Sequence, residues 1–243
     1  MPKRVFFFSD IDDTLMQTRR KTDFSKKTCV GAYNREGEEN SFFYEGVKVF
    51  LDAILASDIT FIPTTARNVD SYQRTILYKE PAIKYAILNF GATVLINNKI
   101  DTFWQEKMQQ SYKKITPINT IHKELEALLN SDKENVVIKT IDNFYVSIYN
   151  KFQLDKEDYL KEIESKLKKF LSTHKEFYLY ENTNSFAILP KCLNKKFAVE
   201  YLIEKENPIL TLGAGDNHSD LDFMNLTSFH LVPNMSDIHQ GYR

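Results

Sequence analysis

The chain has 243 residues, 42% of them hydrophobic, enough to bury a sizeable core either as one large domain or as a core domain with a modest insertion; the second is expected. Lys plus Arg number 32 against 33 Asp plus Glu, so the summed charge gives no long-range pull towards nucleic acid or an acidic membrane surface, and any affinity for an anion has to be local. The two cysteines, Cys29 and Cys192, lie far apart in no metal-ligand spacing, which argues against a disulfide framework and points to a reducing compartment, the cytoplasm.

Val5 to Ser9 is a short, continuously apolar run with strong β preference, as expected of a strand buried on both faces of a parallel sheet. It is too short for the core of a signal peptide, and no stretch approaches the roughly 20 apolar residues of a membrane span. The polar connection Thr18 to Ser41, with Gly31 and Gly37, reads as a functional flap or as a surface loop. Helical spacing of Val47, Phe50, Leu51, Ile54 and Leu55 then leads to a second buried run, Ile59 to Ile62, which ends at Pro63, Thr64 and Thr65. Further buried strands are expected at Tyr85 to Leu88, Ile209 to Leu212 and Phe229 to Val232.

From about Ile118 to Ile188 the texture changes. A helix (Ile121, Leu125, Leu128, Leu129) precedes two strands, Val136 to Ile141 and Phe144 to Tyr149, about the turn Asp142-Asn143. A charged amphipathic helix follows, with its stripe at Leu160, Ile163, Leu167, Phe170 and Leu171. Then come Phe177 to Tyr180 and Ser185 to Leu189 about the polar tip Glu181 to Asn184. The lysines from Lys161 to Lys169 alternate with Glu162 and Glu164, the pattern of a solvated helix face and not of an anion site. Helix, hairpin, helix, hairpin predicts a small sheet covered by two helices and inserted into the parallel-sheet domain. The expected fold class is therefore α/β with a small α+β cap: residues 99–185 form the cap, and residues 1–98 and 186–243 form a discontinuous core.

Asp10, Asp12, Asp13 and Thr14 follow the first strand directly, where three carboxylates repel one another unless a cation or a substrate proton offsets them. A second acidic group, Gly213-Ala-Gly-Asp216-Asn-His-Ser-Asp220, also follows an apolar run, and its glycines allow a sharp turn or a close approach to a ligand. Two acidic strand ends can share one ion, and hard oxygen ligands without a His or Cys cluster point to Mg²⁺.

Asp10-Ile-Asp12-Asp-Thr14-Leu resembles the first motif of the haloacid dehalogenase superfamily. Thr65-Ala66-Arg67 resembles the second, Lys195 after Pro190 the third, and Gly215-Asp216 with Asp220 the fourth. The resemblance implies a Rossmann-like, mostly parallel sheet with helices on both faces. It also implies a phosphatase in which Asp10 is the nucleophile, Asp12 the acid and base, Thr65 a phosphate ligand and Lys195 the cation that offsets nucleophile and phosphate. Mg²⁺ is then held by Asp10, Asp216 and the backbone carbonyl of Asp12, with Asp220 orienting that shell. Arg67 and Asn89 are substrate-binding candidates, while Asp13 and His218 have no assigned duty. Ala66, Cys192 and Ser219 depart from the commoner residues, and Ser219 cannot make the paired hydrogen bonds of an amide.

A cap between the second and third motifs, together with Asn89-Phe-Gly91-Ala92, resembles the sucrose-phosphatase-like and Cof-like sugar-phosphate phosphatases. This implies a small phosphorylated metabolite, a sugar or polyol phosphate, met by the cap near Tyr180, Asn182 and Asn184. Two rivals stand beside it: a phosphomutase using the same phosphoenzyme, and a catalytically silent binding module, which the retention of Asp10, Asp12 and Lys195 disfavours. The 18 Phe and 13 Tyr have no basic stripe beside them and are assigned to the core, so neither nucleic acid nor membrane is an expected partner. Oligomeric state is not readable from the sequence.

Overall fold

Val5–Ser9 lies between two parallel neighbours, Leu210–Ala214 on one side and Ile59–Pro63 on the other, and Phe229–Leu231 extends the sheet beyond Leu210–Ala214. The computed structural model describes residues 4–150, 157–182, 185–234 and 236–241. The chain divides into two compact units, Met1–Gln105 with Asn194–Arg243, and Glu106–Leu193.

In the first unit the three phenylalanines of the central strand are fully buried and alternate between the two faces of the sheet. Phe7 packs with Phe61 and Leu51, the latter from helix Glu45–Leu55. On the opposite face Phe6 meets Tyr85, and Leu221–Met224 packs against Leu210–Ala214. The registers are level: Ser9 pairs with Ala214 and with Pro63. The chain therefore leaves all three strands at the same end, where ligands of open α/β sheets bind.

Beyond Ile59–Pro63 a parallel bridge from Thr64 to Ile87 leads to Tyr85–Leu88, which forms an antiparallel sheet with Thr93–Ile96 and Lys99–Ile100. Residues 18–41 are no plain loop. Gln17–Thr18, Glu39–Tyr44 and Thr28–Tyr33 make a three-stranded antiparallel sheet, turned at Gly37 with φ of 84°. Its alternation is hidden in the sequence because Glu39 and Asn40 begin an exposed strand end that becomes buried only at Ser41. Phe229–Leu231 is also a strand but not a buried one. All three residues are exposed, because they form the outer edge of the sheet.

The second unit is a four-stranded antiparallel sheet in the order Phe177–Asn182, Ser185–Pro190, Tyr145–Asn150, Val136–Ile141. Helices Ile118–Leu128 and Glu157–Leu171 bury Ile121, Leu125, Ile163 and Leu167 in one core with Val146, Ile148 and Ile188 of the sheet. Leu128, expected in the buried stripe, is 37% exposed, and Ile118 takes its place. Asp142 and Asn143 both have positive φ (46° and 58°) in a tight turn closed by Phe144 N on Ile141 O; Ile141 pairs with Tyr145, so Phe144 is the third residue of the connection. The helix Thr102–Tyr112 has no counterpart in the sequence reading. It begins where Asp101 Oδ1 accepts from the amides of Phe103 and Trp104, and Trp104 Nε1 donates to Gly91 O at 2.9 Å.

Candidate active site

Beyond Ser9 the backbone folds back on itself. Leu15 N and Met16 N both donate to Ile11 O, and Asp13 takes a positive φ of 62°. This tight turn sends Asp10, Asp12 and Thr14 towards the mouth of the sheet. Asp10 N donates to Ala214 O at 2.9 Å, so the nucleophile candidate is fixed by the neighbouring strand.

The fourth-motif loop is built by its own side chains. Asn217 Oδ1 accepts from Ser219 N (2.9 Å), and Asp220 Oδ2 accepts from Asn217 N (3.3 Å), a reciprocal cap for the short turn His218–Asp220. Gly215 is required there, since a Cβ would lie 2.4 Å from that of Asp220. The Asn217 amide also donates, through Nδ2, to Asp237 Oδ2 at 3.2 Å.

Lys195 opens the helix Lys195–Glu206, for which Asn194 is the N-cap. Its Nζ donates to Asp10 Oδ1 at 2.6 Å and to Asp220 Oδ1 at 2.8 Å. The side chains of all three are at most 8% exposed. Burial works against the charge on Lys195, but Asp10 and Asp220 outweigh it and hold the ammonium protonated well above its ordinary range. Burial also pushes Asp10 up; Lys195 opposes this, and Asp220, Asp216 and Asp12 add to it. Asp216 is pushed up to about 7, first by burial and then by Asp220, with the Thr14 hydrogen bond pulling the other way. Thr14 Oγ1 donates to Asp216 Oδ1 at 2.8 Å and lies 3.3 Å from Asp10 Oδ2, tying the two acidic strand ends together.

Carboxylate oxygens of Asp10, Asp216 and Asp220 all lie within 4.8 Å of one another. An all-oxygen set in which burial and then neighbouring carboxylates push Asp10 and Asp216 up fits a hard divalent cation such as Mg²⁺. The Asp12 carboxylate is directed elsewhere: Arg67 Nη2 and Nε reach its two oxygens at 2.6 and 2.7 Å. Thr65 is buried, with its amide on Ile87 O and its hydroxyl accepting from Arg67 N at 3.1 Å.

Asp10, Asp12, Thr65, Arg67, Lys195, Asp216 and Asp220 are therefore gathered in the first unit. Asn89 is fully buried and braces the site from behind, its amide donating to Arg67 O and its Nδ2 to Thr93 Oγ1. Tyr180 and Asn182 close the strand Phe177–Asn182, and Asn184 lies outside the described residues. Three contacts have no counterpart in the sequence reading: Thr14 on Asp216, Arg67 on Asp12, and Lys21 on Asp13 at 2.6 Å. The Thr at the end of the first motif was the available signal for one of them.

The model of the sucrose-6F-phosphate phosphohydrolase family matches residues 3–233. The chain belongs to this family. Members of the sucrose-6F-phosphate phosphohydrolase family are phosphatases of the haloacid dehalogenase type, so the chain is an enzyme of that class. No curated protein matches the sequence. Among solved structures it is similar to the sucrose-phosphatase of Synechocystis sp. PCC6803 in complex with sucrose and phosphate, at 12% identity and TM-score 0.60, covering 100% of this chain and 87% of that one. It is also similar to the C-terminal domain of the trehalose-6-phosphate phosphatase of C. albicans (16%, TM-score 0.58, covering 92% and 73%). A haloacid dehalogenase-like hydrolase from Bacteroides thetaiotaomicron matches as well (11%, TM-score 0.59, covering 98% of each). At these identities the likeness is one of fold. Among the described residues no helix is long and apolar enough to cross a membrane.

Proposed function

We propose that the protein is a Mg²⁺-dependent sugar-phosphate phosphatase that works through a phosphorylated Asp10. The observation that carries this reading is the buried cluster of Lys195 with Asp10 and Asp220, set beside Asp216 at the common end of three parallel strands. Asp10 lies where Lys195 offsets its charge, and phosphoryl transfer asks the protein mainly for positioning and charge neutralisation.

In the first step an Asp10 oxygen attacks phosphorus, the ester P–O bond breaks, and the leaving oxygen takes a proton from Asp12. In the second, Asp12 accepts a proton from water as the water oxygen attacks phosphorus. The Asp10–phosphorus bond breaks and inorganic phosphate leaves. Thr65 binds a phosphate oxygen through its hydroxyl. Asp10, Asp216 and the Asp12 carbonyl would hold the cation, with Asp220 and Thr14 orienting them. When bound, Mg²⁺ neutralises charge on the transferred oxygens.

The substrate class comes from the family. The name of the matched model and of the Synechocystis relative point to a disaccharide phosphate, and sucrose 6F-phosphate is the first candidate. The test is phosphate release from a panel of mono- and disaccharide phosphates, polyol phosphates, nucleotides and a phosphopeptide. Turnover concentrated on the sugar phosphates is expected. Turnover confined to nucleotides or phosphopeptide contradicts this substrate class, and an isomerised sugar phosphate in place of free phosphate identifies a mutase.

A further inference from the structure

Four of the five N–H groups of the Arg67 guanidinium face protein atoms. Nε and Nη2 reach the two oxygens of Asp12, Nη2 also faces Ser41 Oγ at 3.4 Å, and Nη1 faces Ser71 O at 3.3 Å. An arginine binds phosphate best through two parallel N–H groups along one edge. In Arg67 the Nε/Nη2 edge holds Asp12, and the other edge is turned to Ser71 and Ser41. The Arg67 side chain is 14% exposed, whereas that of Asp12 is 38% exposed, so the carboxylate is the half of the pair that faces solvent. Arg67 itself is held by Thr65 through its amide and by Asn89 through its carbonyl.

We propose that Arg67 is a positioning residue: it fixes the plane of the Asp12 carboxylate for proton transfer and does not bind the substrate's phosphate. A proton donor is effective only within hydrogen-bond reach of the leaving oxygen, and an exposed Asp side chain left to itself samples several rotamers. A bidentate fork selects one of them, and the strand Glu39–Tyr44, through Ser41, backs the fork. The inference rests on the reading of Asp12 as the proton-transfer group.

The experiment compares wild type, Arg67→Gln and Arg67→Lys with Mg²⁺, on the sugar phosphate of the panel that the wild type turns over best and on p-nitrophenyl phosphate. The sugar oxygen needs a proton to leave, and the aryl oxygen does not. kcat/KM reports the step in which that oxygen departs, and inhibition by inorganic phosphate reports phosphate binding alone. In Arg67→Gln, kcat/KM for the sugar ester is expected to fall at least about tenfold further than for the aryl ester. The inhibition constant of phosphate stays within about twofold. Arg67→Lys, which keeps the charge without the fork, restores only part of the loss. A phosphate inhibition constant that rises about tenfold, or an equal fall for both esters, overturns the proposal. Melting curves establish that the variants fold, and if Arg67→Gln does not, Arg67→Lys carries the same comparison. A wild type that hydrolyses no sugar phosphate of the panel and no aryl ester instead overturns the phosphatase reading, and this inference with it.

Discussion

Lys195 donates to two carboxylates at 2.6 and 2.8 Å, and the three side chains are at most 8% exposed, so each charge is compensated chiefly by the others. Replacing one member of a buried ion cluster leaves the others uncompensated, at a cost of about 3 kcal/mol. Lys195→Met is accordingly expected to lose about that much stability in urea titrations and to lose phosphatase activity at least about a hundredfold. Asp216 gives a second expectation at this scale. Its carboxyl is pushed up to about 7 in the fold, against 3.8 ordinarily, so the folded protein holds a proton that the unfolded chain has lost. That contribution to stability is fully present below the unfolded value and disappears as the pH rises through about 7. A cation must displace the same proton. The melting temperature of metal-free protein should therefore gain more from added Mg²⁺ at about pH 8 than at about pH 6. A gain that shrinks with rising pH in calorimetry contradicts this. The charged groups were legible in the sequence because acids directly after a buried strand are costly without a ligand. Their partners were not: nothing in the spacing of Thr14, Arg67 or Lys21 shows which carboxylate each one meets.

Elements carry these side chains only as accurately as their ends are fixed. Gly91 has φ of 99°, and a Cβ there would come within 2.7 Å of the backbone oxygen of Asn194, the residue that caps the Lys195 helix. Gly91→Ala should cost about 2 kcal/mol and also reduce kcat, because the strain is relieved by moving the start of that helix. Unchanged kcat in a folded Gly91→Ala protein shows that Lys195 does not depend on this contact. Periodicity made the long elements legible: the hairpin at Asp142-Asn143 and the helix Glu157–Leu171 fall where alternation and helical spacing put them. It failed where pairing, and not pattern, decides. The sheet at 17–44 is short and polar at one end, and Phe229–Leu231 reads as buried though it sits at an edge, because apolar content does not reveal strand order.

At the scale of the whole molecule, level registers bring three strand ends together, so that residues as far apart in sequence as Asp10, Thr65 and Asp216 emerge side by side. The α/β class and the order helix, hairpin, helix, hairpin from Ile118 onwards were readable from the chain, whereas the helix Thr102–Tyr112 was not. The substrate was not, since specificity depends on side chains whose spacing follows no period. The central claim is that Asp10 is the nucleophile of a metal-dependent phosphatase, and the most direct test is phosphate release from sugar phosphates by wild type and Asp10→Asn, with Mg²⁺ and with EDTA. The substitution is nearly isosteric, so the fold should survive while the attacking oxygen's charge is lost. Release by wild type that needs Mg²⁺ and falls at least about a thousandfold in Asp10→Asn is the expected result. Undiminished release by Asp10→Asn, or release indifferent to EDTA, contradicts the account.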